Sequence, residues 1–433
     1  MKMKYFKSKS FPYWYRPKPS FVARWFLCRP NSGLIELRRW LFWAWWAKPR
    51  TLNERALLVL NFILSPVTSI KACVLALRLY GEEVQSTYGV GKIRQLIDLV
   101  KLVIGTDLSP VTYYQYHLFQ VDRRAKRYQY TDQSGKLLQV LVQRLPQQAD
   151  NVIFTDKIAF EGWCSSNGLS VVKSYAVILN DDSKKACFSE IDLPHVDLIV
   201  KPNQGRAGND ITLWRFCSSS HHPLWENKCF DHKLNTKELL GYVRNSAVEK
   251  NERYLLQPRL INHPAVRSMG NGCLSTVRIM TVRNGQRRPA LLLAAALRIP
   301  FGDVDVDNFD KGGLASGVDL MTGTCSEAIQ KTGVYPLPFF ERNPTTQAMI
   351  KGVNLPFWKE TVQLCIAAHE HLESLVPIIG WDVAILTEGP LLIEANHLPG
   401  EHLVQMASGI PLGMTCYPNV ICNALCEAFG IKS

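Results

Sequence analysis

The segment Ile378–Asn396, reading IIGWDVAILTEGPLLIEAN, constrains this chain more than any other. Two apolar runs flank Glu388-Gly389, the pattern of a β-hairpin with a tight turn. A turn centred on residue 388 sets Asp382 opposite Glu394, and strand alternation places Glu394 and Asn396 on one face. Three hard oxygen donors then gather on a patch bordered by hydrophobic side chains. Such a set suits Mg2+, which takes one or two carboxylates and completes its shell with water and nucleotide phosphates. Taken alone, the segment also fits a hairpin with a solvated polar end.

Upstream, apolar spacing at helical period predicts helices over Leu34–Ala47, Leu52–Ile63, Ser69–Tyr80 and Lys92–Leu102. The character changes at Asp107. Ser109-Pro110 opens Thr112–Phe119, and a polar, basic stretch follows through Gln148. A helix over Asp156–Asn167 stops at Gly168. Strands are predicted at Val171–Ile178, Val196–Lys201, Ile211–Phe216 and Tyr254–Gln257, with a helix at Thr236–Ser246. Leu274–Val282 and Ala290–Ile299 read as a long antiparallel pair turned at Asn284-Gly285, and the helix Phe357–Leu375 leads into the opening hairpin. Helices mixed with hairpins argue for an α+β fold rather than a doubly wound parallel sheet. Three parts are expected: a basic, aromatic-rich helical region over 1–105, a unit over 106–253, and a unit over 254–433 that ends in the hairpin.

Charge separates the first part from the rest. The chain carries a formal +13, and residues 1–50 hold twelve Lys/Arg against a single acid, Glu36. The remainder is nearly neutral, which gives no charge argument for nucleic acid. The same fifty residues cluster aromatics: Tyr13-Trp14-Tyr15, Trp25-Phe26, Trp40, Phe42-Trp43 and Trp45-Trp46. Basic residues among Trp and Tyr suit an anionic membrane interface, and equally a helical subdomain with an aromatic core and a solvated basic face. No apolar run with a small-residue cleavage site follows the early charges, so a secretory signal is not expected. Ala56–Tyr80 is apolar, but Ser65, Pro66, Thr68, Ser69 and Lys71 interrupt it. A buried or interfacial helical hairpin broken at Pro66 is expected there rather than a span. The twelve cysteines include no CxxC pair and no zinc-ligand spacing with histidine. Scattered thiols of this kind point to small buried hydrophobes in a reducing, cytoplasmic setting.

Two further segments carry chemistry. Leu198–Gly208, LIVKPNQGRAG, is a strand whose end presents Lys201 beside a turn containing Gly205 and Gly208. A lysine there holds phosphate by charge while backbone N–H groups fold over it. It is not a Walker A loop, since no GK[ST] opens a helix, and it also fits an ordinary turn. Lys157, on the preceding helix, is a weaker partner of the same type. Tyr254–Leu260, YLLQPRL, leaves a strand through a proline-stiffened linker able to offer a backbone C=O and N–H to adenine.

These pieces occur in an order that resembles the ATP-grasp superfamily, to which D-alanine–D-alanine ligase belongs. Asn262-His263-Pro264, Ser275-Thr276-Val277-Arg278, Leu297-Arg298-Ile299, Val306-Asp307-Asn308-Phe309 with Gly312-Gly313, and Gly380-Trp381-Asp382-Val383 are similar to the sugar-transfer-associated group of that superfamily. The resemblance covers roughly residues 105–425. It implies two α+β subdomains clasping ATP, with Lys157 and Lys201 on the α- and β-phosphates and Gly205 and Gly208 shaping a closing loop. The Pro258 carbonyl and Leu260 amide would read adenine beside the Gln257 side chain. Asp382, Glu394 and Asn396 would hold Mg2+. Arg278 and Arg298 would stabilise the transferred phosphoryl group or bind a carboxylate, and Asn308 and Lys311 would lie on a loop over the acceptor site. Where many relatives carry acids, this chain has Gln257 in the linker and Pro264 at the ribose position, so Asn262 or His263 would serve the ribose.

The resemblance implies an ATP-dependent ligase that activates a small-molecule carboxylate, a sugar acid or an amino acid, as an acyl phosphate and joins it to an amine or another nucleophile. Such chemistry belongs to surface polysaccharide or sugar-conjugate synthesis, in the cytoplasm or at the inner membrane face. A kinase of a sugar or small alcohol, and a non-catalytic nucleotide-binding module at a membrane surface, are the alternatives on the same fold.

Overall fold

The structure, a computed structural model, describes residues 33–46, 51–106, 108–132, 138–139, 141–142, 149–179, 192–205, 210–217, 223–227, 233–285, 288–302, 309, 312–373 and 376–430. Two antiparallel sheets organise it. The smaller contains Ala176–Ile178 (β1), Leu198–Pro202 (β2), Thr212–Cys217 (β3), Leu224–Glu226 (β4), Leu234–Asn235 (β5) and Tyr254–Pro258 (β6), in the order β1-β6-β2-β3-β4-β5. The larger contains Thr276–Arg283 (β7), Ala290–Ile299 (β8), Leu314–Val318 (β9), Cys325–Gln330 (β10), Phe339–Phe340 (β11), Ile378–Leu386 (β12) and Gly389–Asn396 (β13), in the order β11-β10-β9-β8-β7-β12-β13. The expected division at residue 254 falls at the start of β6, which pairs with β1 and β2 in the smaller sheet.

Each sheet has its own core. On the smaller one, Leu198, Val200, Trp214, Trp225 and Leu256 pack with Leu239, Leu240 and Val243 of the helix Thr236–Glu249. That helix begins where the Asn235 side chain accepts from the Glu238 amide and Glu238 accepts from the Asn235 amide, a reciprocal cap. In the larger sheet, β7 is buried along nearly its whole length and β12 along all but its last residue, as strands covered on both faces must be. The helices Trp358–Glu370 and Glu401–Ser408 cover it. Gly317 of β9 is required by this contact: a Cβ there would sit 2.6 Å from the Ser408 Cα.

The N-terminal helices join this larger core. Leu34, Leu37, Tyr80, Leu99, Leu102, Tyr113 and Tyr114 belong to the same buried cluster as Trp381 and Tyr417. Gln95, fully buried, staples the corner: its Nε2 donates to the Gly81 and Val90 carbonyls, and its Oε1 accepts from the Tyr114 hydroxyl. The helical hairpin expected to break at Pro66 is instead one helix, Leu52–Tyr88, that runs through the proline. Proline removes one N–H and crowds the preceding turn. Here the long helix absorbs that cost, held at one end by a Thr51–Glu54 capping box and stopped at the other by Gly89 at φ 67°.

Candidate functional site

The two sheets face each other across a cavity of about 770 Å³. β2 and β6 form one wall, and β7, β8, β12 and β13 the other. The opening hairpin has the pairing its sequence foretold, with Asp382 opposite Glu394, but by a different route. Leu386 pairs with Gly389, so the turn is Thr387-Glu388, one residue earlier than expected. A bulge between Asp382 and Val383 leaves Ile393 as the extra residue and restores the register at the acidic pair. Gly380 matters here because a Cβ would meet the Pro399 Cβ at 2.7 Å and the Arg278 Cδ at 3.2 Å.

Asp382 is 1% exposed and faces two arginines. Arg278, directly across on β7, donates through Nε to Asp382 Oδ1 and through Nη2 to Oδ2 at 3.2 Å. Arg298 of β8 donates through Nη2 to Oδ2 at 2.9 Å and is steadied by Thr276 Oγ1 at 2.6 Å. Burial opposes the charge on Asp382, yet the two guanidiniums outweigh it and hold the carboxyl well below the usual range. Glu394 behaves oppositely: burial and the neighbouring Asp382 push its pKa up. Asn396 Nδ2 donates to Glu394 Oε1 at 3.2 Å.

Across the cavity, Lys201 is 8% exposed and its ammonium has no hydrogen-bond partner among the described residues. Burial, then the nearby Lys157 charge, lower its pKa to about 8. Lys157 is positioned by the first turn of the helix Lys157–Ser166, where Asp156 Oδ1 accepts from the Ala159 amide at 2.8 Å. Its Nζ donates to the Asn203 carbonyl at 3.1 Å and the Gly205 carbonyl at 3.4 Å, tying that helix to the turn after β2. Gly205 lies at φ 146°, a conformation open to glycine and rare for other residues.

Of the residues expected at the site, Lys157, Lys201, Gly205, Gln257, Pro258, Leu260, Arg278, Arg298, Asp382, Glu394 and Asn396 all line this one cavity. Gly208, Asn308 and Lys311 lie outside the described residues, as does most of the loop before Gly312. The expectation for His263 is corrected: it does not line the cavity, its Nδ1 accepts from the Ala265 amide, and it caps the short helix Pro264–Arg267. Asn262 is likewise structural, bridging the Ser275 backbone and the Ile385 carbonyl. Sequence reasoning missed the chain that orients Gln257. Gln257 Nε2 donates to Ser174 Oγ at 3.1 Å, and Ser174 Oγ donates to Glu161 Oε2 at 2.6 Å. Thr276 was also missed as a support, although it stands in the motif Ser275–Arg278. No local pattern marks Glu161 or Ser174.

The chain matches the family model described as sugar-transfer associated ATP-grasp over residues 138–415, more than half of its length. It belongs to that family. Solved structures similar to this ATP-grasp chain include D-alanine–D-alanine ligase from Bacillus anthracis, at 13% identity and a TM-score of 0.36, covering 64% of this chain and 69% of that one. A D-cycloserine synthetase is 12% identical with a TM-score of 0.32, covering 74% and 81%. The biotin carboxylase domain of Hydrogenobacter thermophilus 2-oxoglutarate carboxylase is 14% identical with a TM-score of 0.36, covering 65% and 46%. No match is found among curated proteins.

Proposed function

We infer that the chain is an ATP-dependent ligase that activates a small-molecule carboxylate as an acyl phosphate and joins it to an amine or another nucleophile. The observation that carries this reading is the Lys201 ammonium, buried without a hydrogen-bond partner among the described residues and lining the same cavity as the Arg278–Asp382–Arg298 cluster and Glu394. A buried ammonium whose N–H groups meet no acceptor is costly unless a ligand supplies one, and Glu394 and Glu161 act on Lys201 only as nearby charges. A polyphosphate is an anion that offers charge to both the lysines and the arginines of this one cavity.

In this reading, Lys201 and Lys157 bind the inner phosphates. Apolar residues on the smaller-sheet side, Ile199, Leu213 and Leu260, supply walls for a base. Among the described residues the Leu260 amide has no hydrogen-bond partner, as an adenine contact requires. Asp382, Glu394 and Asn396 would hold Mg2+. The donor set fits: Asp382 and Glu394 are close enough to share a side-chain hydrogen bond, and Asn396 spends an N–H on Glu394 and keeps its oxygen. A bound Mg2+ would neutralise phosphate charge. Arg278 and Arg298 orient the carboxylate and the γ-phosphoryl group against each other, and positioning with charge neutralisation is most of what phosphoryl transfer needs. The carboxylate oxygen bonds to γ-phosphorus as the bond to ADP breaks. The amine then attacks the acyl carbon, inorganic phosphate leaves, and the amine proton passes to solvent or base.

The family's description as sugar-transfer associated supports a sugar-linked substrate or product, and we place a sugar conjugate or surface polysaccharide there, built in the cytoplasm where ATP is supplied. The free cysteines among the described residues are consistent with that compartment. The test is phosphate release with ATP and Mg2+ against a panel of amino acids and uronic acids, with hydroxylamine present. Carboxylate-dependent release with a trapped hydroxamate is expected. Phosphorylation of a hydroxyl without hydroxamate would instead make the chain a kinase, and no turnover with any carboxylate or alcohol would leave a binding module.

A further inference from the structure

The helix Leu52–Tyr88 carries two apolar faces, and the fold uses only one. Ser65, Ser69, Ala72, Cys73 and Ala76 are buried on one side. Val59, Leu60, Ile63, Leu64, Val67 and Ile70 are exposed, with Ile63 64% accessible. At 100° per residue the exposed set falls within an arc of about 140°, centred opposite the buried set. Leu52, 83% exposed, continues the same stripe toward the N-terminus, giving a length of about 27 Å from Leu52 to Ile70. The stripe then ends: Lys71 and Arg78 occupy the exposed side beyond Ile70.

A row of large aliphatic side chains in water marks a surface that something covers. Immediately before it in the chain come the twelve Lys/Arg and six Trp of residues 1–50, with one acid among them. Cations attract anionic headgroups, and indole rings settle at headgroup depth. Basic and aromatic residues followed by an apolar helical stripe bounded by lysine and arginine match an anionic bilayer surface in charge and in apolarity. By length and composition Ile63–Tyr88 reaches the size of a membrane span. Its other face, however, packs into the protein core through Cys73, Ala76, Tyr80 and Val84, and a helix so held lies on lipid rather than across it.

We propose that Leu52–Ile70 is an interfacial membrane-docking helix, its exposed stripe sunk into the anionic leaflet and its C-terminal half built into the catalytic body. Tyr80 packs edge-on against Tyr335 at 5.2 Å and tilted against Tyr114 at 5.3 Å, and Gln115 Nε2 donates to the Tyr335 hydroxyl at 2.8 Å. Docking through a helix anchored this way fixes the orientation of the whole body on the membrane, not only its presence there. The ligase then meets a carboxylate or nucleophile held at the lipid surface.

The test is co-sedimentation of the full-length chain with vesicles of phosphatidylglycerol and phosphatidylethanolamine, against the double variant Ile63→Glu/Val67→Glu. Helical content and sedimentation velocity are measured on both proteins. Wild type should bind and retain part of its binding in high salt, because the apolar contact is not screened. The variant should fold normally and its partitioning should fall about tenfold or more, since two carboxylates must enter lipid. Three results overturn the proposal: no vesicle binding by wild type, equal partitioning of the variant, or a wild-type dimer that the variant converts to monomer, which would make the stripe a self-association surface. ATP-dependent phosphate release by both proteins, assayed without vesicles, reports separately on the ligase reading.

Discussion

Asp382→Asn and Glu394→Gln should abolish turnover alike and yet differ in stability, the first strongly destabilised and the second not. Asp382 accepts three guanidinium N–H groups and is the ion-pair partner of both Arg278 and Arg298, which are 11% and 16% exposed in their side chains. Asn at that position removes the charge and strands two nearly buried cations. Breaking a buried pair from one side costs about 3–5 kcal/mol, and the single acceptor that Asn retains puts the change near the lower end, about 3 kcal/mol. Glu394 is held against ionisation by burial and by Asp382, so Gln removes a penalty rather than a partner. That variant should lie within about 1 kcal/mol of wild type or above it. The pH dependence follows the same signs. Asp382 is depressed, so its contribution is complete above the unfolded carboxylate value and is lost as the pH falls through the folded one. Glu394 is raised, so its contribution is complete below the unfolded value and declines as the pH rises through the folded one. Urea unfolding with chelator present, across acid to neutral pH, measures both. Equal destabilisation of the two variants, or an Asp382→Asn protein as stable as wild type, refutes the charge assignment.

Three more outcomes are expected. Lys201→Ala should weaken ATP binding, and because burial lowers the Lys201 pKa to about 8, wild-type affinity should decline as the pH rises past that value. Calorimetric titration across pH 7–9.5 (about two units around the lysine) checks this, and a flat wild-type profile contradicts it. Ser174→Ala should relax base selection: the chain Gln257 to Ser174 to Glu161 leaves Gln257 Oε1 as the acceptor for an adenine amino group, and freeing the amide should lower the ATP-over-GTP preference about tenfold, the worth of one hydrogen bond. Gly317→Ala should destabilise by about 2 kcal/mol, because the new Cβ overpacks the Ser408 backbone while the cavity chemistry is untouched; thermal unfolding and ATP affinity separate the two effects.

The parts of the site legible in the sequence are those in which chemistry and element share one stretch of chain. Asp382, Glu394 and Asn396 sit on a single hairpin, where period-2 alternation alone fixes their faces. Even there, the reading survived through compensation, since the turn lies one residue earlier and the bulge at Ile393 cancels the shift. Pro66 misled because a breaker is judged locally, whereas the helix Leu52–Tyr88 is held by a capping box at its start and core packing along its second half. His263 misled for the converse reason. Before Pro264 it is a helix cap, a local role that the motif's functional association obscured. What no spacing could reveal is what arises only when two sheets meet. Glu161, Ser174 and Gln257 come from a helix, a connecting segment and a strand, yet form one hydrogen-bond chain. The same holds for Lys201: its place at the end of an apolar strand was readable, but its lowered pKa depends on burial in the assembled protein and on Lys157, brought near by the Asn203 and Gly205 carbonyls. Charges at such a closure are set by what faces them, and the lysines and arginines of this cavity are therefore the residues whose energetics the structure adds to the sequence.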